Sequence, residues 1–237
     1  MSEQHNQSQK KLKDFNIYIL NSIKFYSLKN EGFTQVIFTI MLVVSFVSAF
    51  IPLPASKSDM RYVFLNLAGL FAIHLASTIY LAAYIRDLRG KEYSLRSCTE
   101  SILRRIFPVI GVFIAYFGII IVGFILFLVP GIIFAVMFLF GICYVIDLGE
   151  SVTGSMSASR KLTQGLKRRI FGIMFIFNVI LFLPVLLIIM SVDTSRNILV
   201  QGFVMAFVKC IITLMQQRLV AQMYVDLEYG TEEENPL

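Results

Sequence analysis

A stripe of small and polar residues in the last apolar segment holds the side chains best suited to bind a ligand. From Gly202 onward, such residues recur at spacings of four, three, four and three, which places them on one helical face. The stripe consists of Gly202, Ala206, Lys209, Thr213 and Gln216, and its end is flanked by Gln217 and Arg218. A lysine deep in a bilayer costs roughly 2.5–3.5 kcal/mol to insert, so it marks a candidate functional site. We predict that an anionic lipid headgroup or a transported anion contacts Lys209, Thr213, Gln216, Gln217 and Arg218.

A second interpretation of Lys209 needs no ligand. If the membrane interface lies near Gln216, the ammonium group has only about 10 Å to climb at roughly 1.5 Å per residue. The lysine would then snorkel toward the interface or pair with a neighbouring helix. Other polar residues stand alone in apolar segments, and hydrogen bonding between helices is the simpler interpretation of Asn66, His74 and Asn178.

Residue patterns of enzymes are missing. The chain has no phosphate-binding glycine loop, no nucleophile elbow and no histidines at metal-ligand spacing, since His5 and His74 are its only histidines. The carboxylates Asp87, Asp147 and Asp226 lie at the ends of apolar segments, where they anchor a helix end or pair with arginine. We therefore expect a non-enzymatic protein with no catalytic residues, no metal and no cofactor.

The elements that position these residues are membrane spans. Of the 237 residues, 57% are hydrophobic and only 15% are charged, and the mean hydropathy is +0.76, well outside the ranges of globular domains. The uncharged run from Ile106 to Ile146 is long enough for two spans. We predict an all-α polytopic membrane helix bundle, with six transmembrane helices as three hairpins and with cytoplasmic amphipathic helices. The predicted segments are a leader at 1–32, spans at about 33–53, 62–85, 106–129, 131–147, 170–191 and 198–224, and an acidic tail at 227–237.

The basic residues predict the orientation of the spans. Sixteen of the 21 lysines and arginines lie in residues 10–29, 86–105 and 160–169, and such residues accumulate on the cytoplasmic side. Both termini should therefore be cytoplasmic, and the polar leader is not a cleaved signal peptide. The three cysteines imply no disulfide framework.

Anionic phospholipid headgroups are the expected electrostatic partners. The net charge of +6 lies beside apolar spans and is accompanied by no nucleic-acid-binding motif, so no nucleic-acid partner is expected. A membrane protein partner and a homo-oligomer both stay open. The headgroup-binding candidates are Arg104, Arg105, Arg160, Lys161, Lys167, Arg168 and Arg169.

Repeated motifs divide the chain into three hairpins. Segments beginning at Tyr84, Tyr144 and Tyr224 each carry an aromatic residue, a carboxylate and a leucine where a span ends. Ordinary interfacial composition accounts for them equally well. Apolar residues at helical spacing also predict amphipathic helices in the leader and over 151–169.

The dipeptide Pro130-Gly131 predicts the tip of the second hairpin. Proline lacks an amide hydrogen and glycine allows a tight turn, which suits a chain reversal in the bilayer. The segment after it is short, so this hairpin is expected to be shallow. Gly111, Ala115 and Gly118 predict close approach of another helix.

One stretch of the chain, Gly118 to Phe177, resembles the YciC-like bacterial inner-membrane family and the related membrane domain found beside glycerophosphodiester phosphodiesterases. The likeness rests on a Pro-Gly-Ile turn, an acidic residue and a helix ending in Ser-x-x-Leu-Thr, here Pro130, Gly131, Ile132, Ser159, Leu162 and Thr163. Arg218 also suits this family. The resemblance implies a six-span protein of the bacterial cytoplasmic membrane. It carries no enzymatic activity over, because the phosphodiesterase chemistry belongs to a separate domain.

Two functions follow as expectations. The first is a non-enzymatic membrane component that binds lipids or a partner protein and serves envelope homeostasis, complex assembly or protection against a membrane-active agent. The second is a transporter or permease-like subunit that moves an amphiphile or anion through a cavity lined by the last span.

Overall fold

The computed structural model describes residues 12–29, 31–49, 60–193 and 197–230, and within these ranges it is helical without strands. The first eleven residues of the leader and residues 231–237 of the acidic tail lie outside the described residues. The helices are α1 Phe15–Ile23, α2 Glu31–Ala49, α3 Met60–Leu88, α4 Leu95–Arg104, α5 Ile106–Leu126, α6 Leu128–Met137, α7 Gly141–Asp147, α8 Val152–Leu162, α9 Lys167–Asp193 and α10 Ile198–Tyr229.

Six helical segments are long and apolar enough to cross a membrane, which confirms the predicted polytopic helical bundle. They are Gly32–Ala49, Val63–Leu88, Ile106–Leu126, Leu128–Asp147, Lys167–Ser191 and Ile198–Tyr229. The fourth span combines α6 and α7. In the second half of α9, most side chains are exposed on the surface of the protein without lipid. The bundle is therefore that of an integral membrane protein whose apolar surface is covered by lipid.

The last helix, α10, packs against the first hairpin along most of its length. Phe207 meets Phe38 of α2 edge to face with ring centroids 5.4 Å apart, and the Sγ atom of Cys210 lies 3.7 Å from the Oγ atom of Ser45. Further along, Gln217 donates to the hydroxyl of Ser77 on α3. These contacts anchor α10 to both helices of the first hairpin.

The second hairpin turns three residues earlier than its sequence suggests. We expected the tip at Pro130-Gly131, but α5 ends at Leu126 and α6 begins at Leu128, so the chain reverses at Phe127. Pro130 occupies the first turn of α6, where a missing amide hydrogen costs nothing. Gly123 of α5 and Gly131 of α6 let the two helices of this hairpin approach closely, since a Cβ atom on Gly123 would lie 2.8 Å from the Cα atom of Gly131.

The fourth span is interrupted between Met137 and Gly141. The Leu139 amide donates to the carbonyl of Val136 and the Gly141 amide to the carbonyl of Phe138, three residues back instead of four. Three backbone groups therefore lose their α-helical partners, namely the amide of Phe140 and the carbonyls of Ala135 and Met137. Other helices replace these partners. Ser159 on α8 accepts from the amide of Phe140 at 3.1 Å and donates to the carbonyl of Met137 at 2.9 Å. The hydroxyl of Tyr116 lies 3.5 Å from the carbonyl of Ala135.

The helix α8 packs on the second hairpin through two small residues. A Cβ atom on Gly111 of α5 would lie 2.6 Å from Val152, and one on Gly141 of α7 would lie 3.1 Å from Met156. Gly111 thus admits a neighbouring helix closely, as the small-residue spacing predicts. Gly118, in contrast, has no atom within 4 Å of such a Cβ position.

Both ends of the described chain meet at one end of the bundle. Lys13 forms an ion pair with Asp226 at 3.1 Å, and the hydroxyl of Tyr18 donates to the same carboxylate at 2.8 Å. Burial and the neighbouring Asp226 raise the pKa of Tyr18, so it stays a neutral donor. The first and last described segments therefore lie on the same side, as an even number of crossings requires. We call this side, which also carries α4 and α8, the basic end.

Candidate functional site

Three exposed cations surround the junction between α8 and α9. Arg160 and Lys161 lie at the end of α8, and Arg168 lies in the first turn of α9. Among the described residues, no acidic side chain forms a hydrogen bond or ion pair with any of the three. The amides in the first turn of α9 also add positive partial charge here. We call Arg160, Lys161 and Arg168 the α8–α9 cation surface.

Local sequence explains how this surface is held. Ser151 caps the start of α8 by accepting from the amide of Gly154, and Thr163 lies buried, with its hydroxyl 3.1 Å from the carbonyl of Ser159. Gly165 adopts φ +80°, which allows the short turn into α9. The cations are therefore presented by two anchored helix ends.

The other predicted headgroup ligands have structural contacts, with one exception. Arg169 donates to the carbonyl of Leu12 at 2.6 Å, and Lys167 lies half-buried with Nζ 3.6 Å from the Met137 sulfur. Arg105 donates to the carbonyl of Val145 at 3.0 Å. The exception is Arg104 on α4, which is exposed and, within the described ranges, forms no hydrogen bond or ion pair.

The predicted ligand residues of α10 separate into two groups. Lys209 is exposed, the hydroxyl of Thr213 donates to the Lys209 carbonyl at 2.8 Å, and Gln216 donates to Asn178 of α9 at 3.0 Å. These three residues share the helix face that is turned toward α9. Gln217 and Arg218 instead contact the first hairpin and the segment before it. The structure thus does not bring all five residues to one place.

Arg218 is 7% exposed and lies in a buried polar patch around Tyr84. Its guanidinium carbon lies 4.2 Å above the ring of Tyr84, and its Nη1 atom donates to the carbonyl of Ser27 at 3.2 Å. Gln222, one turn further along, donates to the hydroxyl of Tyr84 at 2.7 Å. Within the described part of the chain, Nε of Arg218, Oε1 of Gln222 and Oδ1 of Asp87 are buried without a hydrogen-bond partner.

A second polar cluster, centred on Asp147, was not identified as a site from sequence. The carboxylate of Asp147 accepts from Arg89 at 2.5 Å, from Tyr224 at 3.2 Å and from Tyr229. Arg89 also lies over the ring of Tyr229, 3.9 Å from its centroid. The repeated aromatic and carboxylate residues at the span ends were the available signal. Two of the three repeats meet here, since Tyr144 and Tyr224 pack edge to face at 5.3 Å.

A small cavity of about 180 Å³ lies between α1 and α10 at the basic end. Polar groups of both helices line it, with Lys13, Tyr18 and Asn21 on one side and Gln222 and Asp226 on the other. Across the described ranges, no group of three or more His, Cys, Asp or Glu side chains is arranged to hold a metal ion.

Comparison of the chain with protein-family models, curated proteins and solved structures finds no match. The resemblance to the YciC-like family stays a prediction from the quoted residues.

Proposed function

We propose that this integral membrane protein is a non-enzymatic component of the bacterial cytoplasmic membrane that binds anionic phospholipid headgroups at the α8–α9 cation surface. The basic end would face the cytoplasm, in accord with the distribution of lysine and arginine. The observation that carries the proposal is that Arg160, Lys161 and Arg168 are exposed and that no acidic side chain in the described part of the chain pairs with them.

The position of the three cations supports a membrane ligand. They precede or begin α9, whose segment Lys167–Ser191 is apolar enough to span the bilayer. Cations at the start of a span lie at the depth of lipid phosphates, where each contributes on the order of 1 kcal/mol to binding an anionic membrane. If all three cations contact one headgroup, the anionic lipid binds at most about a hundredfold more tightly than a zwitterionic lipid.

The rigidity of the junction favours a defined site over diffuse attraction. Arg160 and Lys161 follow Ser159, which bonds to the interrupted fourth span, while Arg168 lies beside Arg169, which bonds to Leu12. Side chains held at fixed backbone positions lose less conformational freedom when a ligand orders them.

Native mass spectrometry of the full chain in nanodiscs tests the proposal. The nanodiscs contain equal parts of phosphatidylcholine and phosphatidylglycerol, and the measured quantity is the ratio of the two lipids that stay bound to the released protein. We expect retained phosphatidylglycerol to exceed phosphatidylcholine at least tenfold. The triple variant R160Q/K161Q/R168Q should lose this preference, and its exposed substitutions should leave stability nearly unchanged.

A matched variant removes three exposed cations from elsewhere at the basic end. Lys24, Lys91 and Arg96 are exposed, and Arg96 already pairs with Glu100. The variant K24Q/K91Q/R96Q changes the net charge equally and should keep the preference for phosphatidylglycerol. Equal loss in both triple variants would contradict a local site and show attraction by total charge instead.

A further inference from the structure

Lys209 lies well inside the apolar span Ile198–Tyr229. It is the twelfth residue of α10, so it is about 16 Å from the start of the helix and about 13 Å from Arg218 at 1.5 Å per residue. The hydrocarbon core is about 30 Å thick. The Cα–Cβ bond of a helical residue tilts toward the helix N-terminus, here the end opposite the basic end. The four-carbon side chain is shorter than either of these distances, so we infer that Lys209 does not snorkel to an interface.

The helix α9 passes Lys209 without covering it. The hydrogen bond from Gln216 to Asn178 fixes the antiparallel register of α10 and α9. Lys209 lies seven residues before Gln216, and Val185 lies seven residues after Asn178, so these two residues are at the same height in the antiparallel pair. Val185 follows Pro184, which is inside α9. Around this level α9 is largely exposed, and so is Lys209. Asn178 and Gln216 thus join the two helices at one level, and seven residues further on both helices expose side chains to lipid.

The described residues provide no counter-charge at this depth. The carboxylates within the six spans are Asp87, Asp147, Asp226 and Glu228, and all four lie at the basic end. Among the residues that the structure describes, none forms a hydrogen bond or ion pair with the Lys209 side chain. A second copy of the chain in the same orientation would bring its carboxylates to the same levels, so it would not neutralise Lys209 either. The compensating anion must therefore come from another molecule in the membrane.

We propose that the exposed surface of α9 and α10 around Lys209 binds a long-chain carboxylate, such as a fatty acid, with its headgroup on Lys209. One lysine matches one negative charge, and the hydroxyl of Thr213 and the amide of Gln216 are already engaged. A carboxylate is also the smallest anionic headgroup, so it brings the fewest other polar atoms into the hydrocarbon. The acyl chain lies along exposed apolar side chains of α9 such as Leu183, Leu186 and Leu187.

Photo-crosslinking in phosphatidylcholine nanodiscs tests this site. The probe is palmitic acid with a diazirine in its chain, and the matched neutral probe is the alcohol of the same chain, both at pH 8. We expect the acid to label α9 and α10 around Leu183 and Lys209 at least fivefold more than the alcohol does, as mapped by peptide mass spectrometry. The K209M variant should label with the acid only as strongly as with the alcohol, whereas K209R should retain the difference.

Two outcomes would overturn the proposal. One is equal labelling of wild type by acid and alcohol, and the other is undiminished acid labelling of K209M. Should K209M fail to fold, competition on the wild type decides, because unlabelled palmitate must displace the acid probe whereas the unlabelled alcohol must not. The α8–α9 cation surface is separate, so R160Q/K161Q/R168Q should keep normal labelling, and either proposal can fail without the other.

Discussion

The hydroxyl of Ser159 lies 3.1 Å from the backbone nitrogen of Phe140 and accepts its hydrogen bond. This bond joins a helix at the basic end to the interruption of the fourth span. Because Ser159 also donates to the carbonyl of Met137, one side chain satisfies two of the backbone groups that the interruption releases. An unsatisfied backbone group in an apolar interior costs several kcal/mol, so the interrupted helix depends on α8.

Replacing Ser159 by alanine should destabilise the protein by about 1–3 kcal/mol, since in this fully buried position the amide of Phe140 loses its side-chain partner and the carbonyl of Met137 keeps only the Thr163 hydroxyl at 3.4 Å. Unfolding in mixed micelles with increasing detergent denaturant measures the change. The matched variant is S157A on the same helix, where the serine is exposed, and it should shift stability by less than about 0.5 kcal/mol. Equal stability of S159A and wild type would show that water replaces the hydroxyl.

Removing the carboxylate of Asp147 should also destabilise the protein strongly. Asp147 and Arg89 have side chains only 6% and 19% exposed, so D147A leaves a guanidinium largely desolvated without its partner. The expected loss is about 3–5 kcal/mol, measured by thermal unfolding in detergent. The exposed pair of Arg96 and Glu100 is the internal comparison, and E100A should cost at most about 1 kcal/mol. Comparable effects of the two variants would refute a structural role for the Asp147 cluster.

The thiol of Cys98 should react slowly with alkylating reagents. Burial raises its pKa above the ordinary 9.0, although the neighbouring Arg86 acts in the opposite direction. A raised pKa favours the protonated thiol, and only the thiolate is a good nucleophile. At pH 8 we expect iodoacetamide to modify Cys98 at least tenfold more slowly in the folded protein than in sodium dodecyl sulfate. The rate should rise as the pH passes 9, and peptide mass spectrometry follows it. Modification as fast as in the unfolded chain would show that α4 does not shield the thiol.

The six spans are predictable from sequence because they depend on local quantities. The length of each apolar run and the positions of lysine and arginine determine where the chain can cross a bilayer. The interruption at Phe138–Phe140 is different, since the residues around it are uniformly apolar and suit a continuous helix. The partner that satisfies its backbone is Ser159, nineteen residues away from Phe140, and such a contact leaves no periodic pattern.

The sequence predicts which site residues lie together only where those residues share one face of a single helix. Lys209, Thr213 and Gln216 share a face, as their spacing predicts, but Arg218 lies nine residues after Lys209 and hence on the opposite side of the helix. Its neighbours Tyr84 and Ser27 come from distant parts of the chain. The three partners of Asp147 are likewise 58, 77 and 82 residues distant, so their convergence required the folded structure.

The bond between Tyr18 and Asp226 joins residues 208 positions apart, and it has a consequence for biogenesis. Ribosomes release α1 before its partner α10, so α1 waits while the five spans between them and α10 itself are synthesised. Its exposed Ile17, Leu20 and Ile23 suit adsorption to the membrane surface during that time. Docking of α1 onto α10 is then the closing step of assembly. Burial of the Tyr18 side chain therefore indicates that all six spans have been inserted.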